Sequence, residues 1–173
     1  RKEEIPKSWK PLSRELSKPF TGDLDEMRKR GIVRVLVSYN RTNYFIDEAK
    51  AFGFEYELME QFRKFLNKRT TRKQLKTAFV FLPVPFDRLI PYLNEGRGDI
   101  AAAGLTVTAK RAGKIAFSDP YLSGVREVLV AAPATETIRD VDGLSGREVH
   151  LLRGSSYAQH LQDVNRRLQP LPA

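Results

Sequence analysis

The chain contains no cysteine, which excludes disulfide frameworks, thiolate nucleophiles and cysteine-bound metal while leaving the compartment undecided. Histidine is almost as scarce. The only two, His150 and His160, form neither a His-x-x-His nor a His-Glu-x-x-His pattern, so no metal site is expected. No apolar run approaches the roughly 18 residues of a membrane span. Nor does an apolar leader follow Arg1, and the expectation is a signal peptide that is absent or already removed. A phosphate-cradling glycine loop is missing, as are zinc-finger, helix-turn-helix and RNP signatures, so no cofactor and no nucleic-acid partner is expected. Acid is locally absent too: none occurs between Glu60 and Asp87.

What is present suits a packed domain. The 173 residues are 41% hydrophobic, enough for one domain or two small lobes. Thirty Lys+Arg against 21 Asp+Glu give a net charge of +9, a balance that favours anionic partners such as lipid surfaces or cell-wall polymer. Much of the excess is concentrated at Arg63, Lys64, Lys68, Arg69, Arg72, Lys73 and Lys76. A solvated helix end, whose cations complement the helix dipole, accounts for such a cluster more readily than a docking surface does.

The elements alternate. Residues 1–22 are basic and contain Pro6, Pro11 and Pro19, with Trp9 as a large anchor, and read as an arm. Asp23 and Glu26 form a capping-box pattern ahead of a short helix that Gly31 would stop. Ile32 to Ser38 reads as a strand. From Phe54 the pattern predicts a helix with Leu58, Phe62, Phe65 and Leu66 on its core face. Thr77 to Val84 reads as a second strand, residues 86–96 as a helix bent by Pro91, and Asp99 to Gly104 as a third strand. Strand, helix, strand, helix, strand implies an α/β lobe with parallel pairing. Ligands of such sheets sit beyond the carboxyl ends of the strands, which here are Ser38 to Tyr44 and Gly104 to Thr108.

Two threonines and an arginine follow the third strand, Thr106, Thr108 and Arg111. A carboxylate is best held by a planar guanidinium, with hydroxyls and backbone N–H groups completing its shell. A plain helix start on a surface turn is the alternative. Further on, Gly124 to Ala132 is an extended run, residues 147–152 read as a strand, and a helix follows with Tyr157, Leu161, Val164 and Leu168 on one face. Ser155 and Ser156 at that helix start could bind an anion or simply cap the helix.

Several of these pieces occur in an order that resembles the family 3 bacterial extracellular solute-binding proteins. In that family a Gly-Phe-acid helix opening is followed by Gly-x-x-Asp, then Thr-x-Thr-x-x-Arg, then Phe-Ser-x-Pro-Tyr. Here they stand as Gly53-Phe54-Glu55, Gly96 to Asp99, Thr106 to Arg111 and Phe117 to Tyr121. Within the family, Asn43 to Phe45, the GFEYEL opening and the run AAAGLTVTAKR are similar to the binding modules that precede a lysozyme-like domain in membrane-bound lytic transglycosylases. The resemblance implies a type II periplasmic-binding fold, two-lobed and doubly wound, with residues 23–123 as lobe 1, 124–136 as a hinge crossover and 137–173 as the start of a second lobe that stops short. It implies no catalytic residue in this chain, whose glutamates are never followed by the serine of the catalytic domain's Glu-Ser motif.

Carried over by position, the resemblance implies that Arg111 grips a ligand carboxylate. The Thr106 hydroxyl and the Gly104 carbonyl would face a ligand amine, Tyr44 or Phe45 would form an apolar wall, and Ser155 and Ser156 would complete the carboxylate site. Asp119 and Tyr121 shape a turn. The expected ligand is an amino acid, short peptide or muropeptide, bound in the periplasm, with a membrane tether or a catalytic domain lying outside the chain. Three function classes follow: a hinge-bending binding and sensing module, regulatory or serving a transporter; an enzyme, through Ser156 and His160 or through a separate transglycosylase domain; and a basic module docking on anionic wall polymer.

Overall fold

The structure, a computed structural model, describes residues 16–68, 76–133 and 138–168. Trp9, Pro6, Pro11, Arg69, Arg72 and Lys73, which figure in the sequence reading, lie outside them. The chain divides into two compact units, residues 1–116 and 117–173.

The first unit is built on three parallel strands. β1 (Ile32–Val37) lies between β4 (Ala78–Pro83) and β5 (Ile100–Ala102), with Val35 level with both Phe81 and Ile100. β1 is a run of branched apolar residues because both its faces are covered. Val33, Val35 and Val37 are fully buried on one face, against Tyr44 and Ala102, with Met59 and Tyr56 of α2 (Phe54–Asn67) packed alongside. Leu36 faces the other way, onto Leu89 and Ala103.

α1 (Leu24–Arg30) starts and stops as its sequence predicts. Asp23 accepts a bond from the Glu26 amide at 3.0 Å, Glu26 returns one from the Asp23 amide at 3.2 Å, and Gly31 closes the helix at φ 75°. The proline expectation changes. Phe86–Arg88 form a 3-10 turn and α3 spans only Leu89–Asn94, so Pro91 falls in the first helical turn, where its missing N–H has no intrahelical partner to lose.

Phe65 also departs from expectation: it is 72% exposed. The centre of the α2 core face is occupied instead by Glu55, Met59, Phe62 and Leu66, and at 3.6 residues per turn Phe65 lies about a quarter turn away. Phe62 meets Phe79 edge to face at 5.8 Å.

Between β1 and α2 a two-residue hairpin intervenes, β2 (Phe45–Asp47) and β3 (Lys50–Phe52). Its turn residues Glu48 and Ala49 both have positive φ, 44° and 64°, as a tight hairpin turn of the right-handed twist demands.

A buried ion cluster ties the sheet together. Arg34, on β1, is fully buried and donates to Asp99 Oδ1 at 2.9 Å, to the Gly96 carbonyl at 2.8 Å and to the Lys18 carbonyl at 2.8 Å. Asp99 also binds Arg30. The Gly-x-x-Asp motif is therefore architectural. Gly96, at φ 68°, packs so closely on the Phe20 backbone that a Cβ would stand 2.8 Å from it.

In the second unit, helix α5 (Ser156–Leu168) forms as expected, while residues 147–152 form no strand. A strand needs a neighbour with which its backbone groups pair, and among the described residues this segment forms no ladder. The run from Gly124 to Val130 is likewise unpaired and exposed.

Candidate ligand site

Parallel pairing brings the carboxyl ends of β1 and β5 to one edge of the first unit. Two loops leave that edge, residues 38–44 after β1 and residues 103–108 after β5, and the start of α2 meets them.

The first loop is braced by Asn40. Its side-chain oxygen accepts from the Thr42 and Asn43 amides at 3.0 and 2.8 Å, an Asx turn, and its own amide donates to the Tyr44 carbonyl at 2.9 Å. The carbonyls of Thr42 and Asn43 in turn accept from the first amides of α2, Phe54 at 2.9 Å and Glu55 at 3.1 Å, so loop backbone replaces a side-chain cap. That docking requires Gly53. Its φ is 122°, and a Cβ there would stand 2.3 Å from the Asn43 carbonyl oxygen.

The second loop is held by Glu55. This carboxylate is 2% exposed and accepts a hydrogen bond from the Gly104 amide. An ionised carboxylate forms strong hydrogen bonds to amides, so Glu55 fixes where the loop leaves β5. Nothing in composition singles Glu55 out; the signal is its place as the acid of the Gly-Phe-acid opening.

Arg111 closes the loop from the other side. It lies in α4 (Ala109–Ala112), 8% exposed, and its Nη1 donates to the Thr106 carbonyl at 2.8 Å. Thr108 caps the helix, its hydroxyl accepting from the Arg111 amide at 3.3 Å. Burial lowers the Arg111 pKa from its ordinary value, yet a guanidinium stays charged. A buried cation thus stands at the edge where a parallel sheet receives its ligand.

Gly104, Thr106, Thr108 and Arg111 are accordingly gathered on one short segment. Tyr44 is placed differently. It is 5% exposed, stacked on Phe81 at 5.7 Å and set edge-on to Tyr56 at 6.3 Å, inside the core. Phe45 stacks on Phe52 across the hairpin at 5.6 Å. Tyr39, which the sequence reading passed over, is the 60% exposed aromatic that follows β1.

Ser155 and Ser156 belong to the second unit, at the start of α5, and are 7% and 4% exposed. The Ser155 hydroxyl accepts from the Ala158 amide at 3.4 Å, which is cap geometry. In the same unit His160 Nδ1 meets Glu127 Oε1 at 2.7 Å. Among the described residues no cluster of three metal-ligating side chains occurs.

Comparison with known proteins bears on the fold and the family. Two curated relatives are both named membrane-bound lytic murein transglycosylase F. That from Desulfosudis oleivorans (strain DSM 6200 / JCM 39069 / Hxd3) is 34% identical over 79% of this chain and 28% of its own length. That from Pseudomonas putida (strain W619) is 31% identical over 88% and 29%. The chain thus spans less than a third of these relatives. Among solved structures, an ancestral arginine-binding protein bound to arginine matches with a TM-score of 0.61 at 29% identity, covering 80% of this chain and 57% of that one. Holo ArgBP from T. maritima matches with a TM-score of 0.50 at 29% identity, covering 58% and 41%. The parallel α/β sheet and these neighbours place the chain in the type II periplasmic-binding class. With residues 32–171 matching their sequence profile, the chain belongs to the bacterial extracellular solute-binding proteins, family 3.

Proposed function

We propose that the chain is a solute-binding and sensing module for a small ligand bearing a carboxylate, an amino acid first among the candidates. The observation that carries this reading is the buried Arg111, wrapped by the Gly104 to Thr108 loop at the carboxyl edge of the sheet. A planar guanidinium matches a carboxylate with two parallel bonds. Two structural neighbours hold or are named for arginine, which supports an α-carboxylate as the recognised group.

The names of the curated relatives support a parent protein of the cell envelope in which this module regulates a peptidoglycan-cleaving domain. Its location is then periplasmic, and muropeptides join amino acids as candidate ligands. Service to a transporter is the second reading, favoured by the arginine-binding neighbours.

A thermal-shift screen of the chain against amino acids, short peptides and muropeptide fragments tests the proposal. A ligand at 100 times its Kd should stabilise the fold by about 2.7 kcal/mol. In Arg111→Ala the shift should disappear while the unliganded melting temperature stays close to that of the parent. An equal shift in the variant would remove Arg111 from the site.

A further inference from the structure

The opposite edge of the first unit carries a second feature, independent of the ligand site. α2 ends there, and its last residue is stapled to the start of β4: Asn67 Nδ2 donates to the Thr77 carbonyl at 2.9 Å and Asn67 Oδ1 accepts from the Thr77 amide at 2.9 Å. The next residue, Ala78, donates to the Gly31 carbonyl at 2.9 Å, just past the end of α1. Two helix C-termini and two strand starts therefore meet at this edge.

Their side chains are of one sign. Arg28 and Lys29 from the last turn of α1, and Lys64, Lys68 and Lys76 around the end of α2, are all exposed. Acids of the same elements do not offset them. Glu60 is bound bidentately by Arg63, at 2.9 and 2.7 Å. Asp99 is buried with Arg34 and Arg30. Asp25, Glu26, Glu55 and Glu57 lie in the first turns, at the far ends of their helices. Dipole compensation accounts for one or two of these cations. It does not account for Phe65, 72% exposed on the last full turn of α2 with Lys64 and Lys68 beside it in sequence.

An exposed large ring on the same edge as exposed lysines is a pattern by which proteins rest on bilayers: the cations meet anionic headgroups and the aromatic enters the interface. We infer that this edge is a docking surface for an anionic lipid bilayer. An anionic polymer in solution would use the lysines and leave Phe65 without a role. Docking here leaves the ligand-site edge facing away from the membrane.

The test is sedimentation of the 173-residue chain with vesicles of phosphatidylcholine alone or containing phosphatidylglycerol, at low and high salt. Binding should require phosphatidylglycerol and weaken with salt. The Lys64→Glu/Lys68→Glu/Lys76→Glu variant should lose at least about 100-fold in partitioning, since each exposed cation contributes about fivefold near a charged surface and each reversal also adds repulsion. Its thermal unfolding should be unchanged. Phe65→Trp in a Trp9→Phe background reports insertion, and its emission should shift to the blue on phosphatidylglycerol vesicles and stay unshifted with soluble polyphosphate. Equal binding to neutral vesicles, charge reversal without effect, or an unshifted Trp on vesicles combined with lysine-dependent polyphosphate binding would each overturn the membrane assignment, the last in favour of a soluble anionic polymer.

Discussion

Burying a guanidinium costs free energy unless its charge and donors are met, and this fold does so twice for different ends. Arg34 is satisfied internally, by Asp99 and by carbonyls of residues 16–20 and Gly96. Removing one partner leaves a buried charge uncompensated, so Asp99→Ala should cost about 3–5 kcal/mol in urea denaturation; a loss below about 1 kcal/mol would show that the cluster is not structural. Arg111 is buried at the edge where ligand is expected, and its Nη1 donates to the Thr106 carbonyl of the adjoining loop at 2.8 Å. One buried arginine thus serves architecture, and the other is the one proposed for recognition. Tyr44 and Tyr56 add a pH dependence. Burial is the main cause that raises both above the ordinary tyrosine value, with Tyr39 adding to Tyr44 and Glu60 to Tyr56. Below about pH 10 both are neutral whether the chain is folded or not. Above it the unfolded chain ionises first, so stability should fall as pH rises beyond about 10. Stability measured from pH 9 to 11 should show that slope, and Tyr44→Phe should flatten it.

Helix α2 does three jobs along its length. Its first turn is docked on the carbonyls of Thr42 and Asn43 and supplies Glu55 to the β5 loop, its middle packs on β1 and β4, and its end carries the exposed Phe65. Phe62→Ala should destabilise by about 1–2 kcal/mol, as expected for a half-buried ring, while Phe65→Ala should stay within about 0.5 kcal/mol. Equal costs in thermal unfolding would return Phe65 to the core. The periodicity made α2 legible, and so did the β-branched run of β1 and the capping box of α1. Other features lacked a local signal. The hairpin turn at Glu48 and Ala49 uses residues that rarely take positive φ, so no Asn-Gly or Asp-Gly pair announced it. The expected strand at 147–152 depends on a pairing neighbour that its own residues do not reveal.

For the molecule as a whole, the class of the fold was legible because the strands of a parallel sheet are apolar throughout and alternate with amphipathic helices. The expected position of a ligand follows from the same topology. Thr106, Thr108 and Arg111 stand out in the sequence by their chemistry at the end of a strand, whereas Glu55 acts on the Gly104 amide, 49 residues away, a relation that only the folded chain displays. The family resemblance implies Tyr44 or Phe45 as an apolar wall; Tyr44 is buried among Tyr39, Tyr56 and Phe81, and Phe45 stacks on Phe52. The central claim, that Arg111 grips a ligand carboxylate, is tested most directly by calorimetric titration of the chain and of Arg111→Ala with L-arginine and with L-argininamide, in which the carboxylate is a neutral amide. The parent chain should bind L-arginine at least about 30-fold more tightly than the amide, as the loss of one side of a desolvated charge pair implies, and Arg111→Ala should bind the two alike. A preference for L-arginine that survives in Arg111→Ala, or no binding of L-arginine by the parent chain together with no response to any carboxylate ligand in the thermal screen, would contradict it.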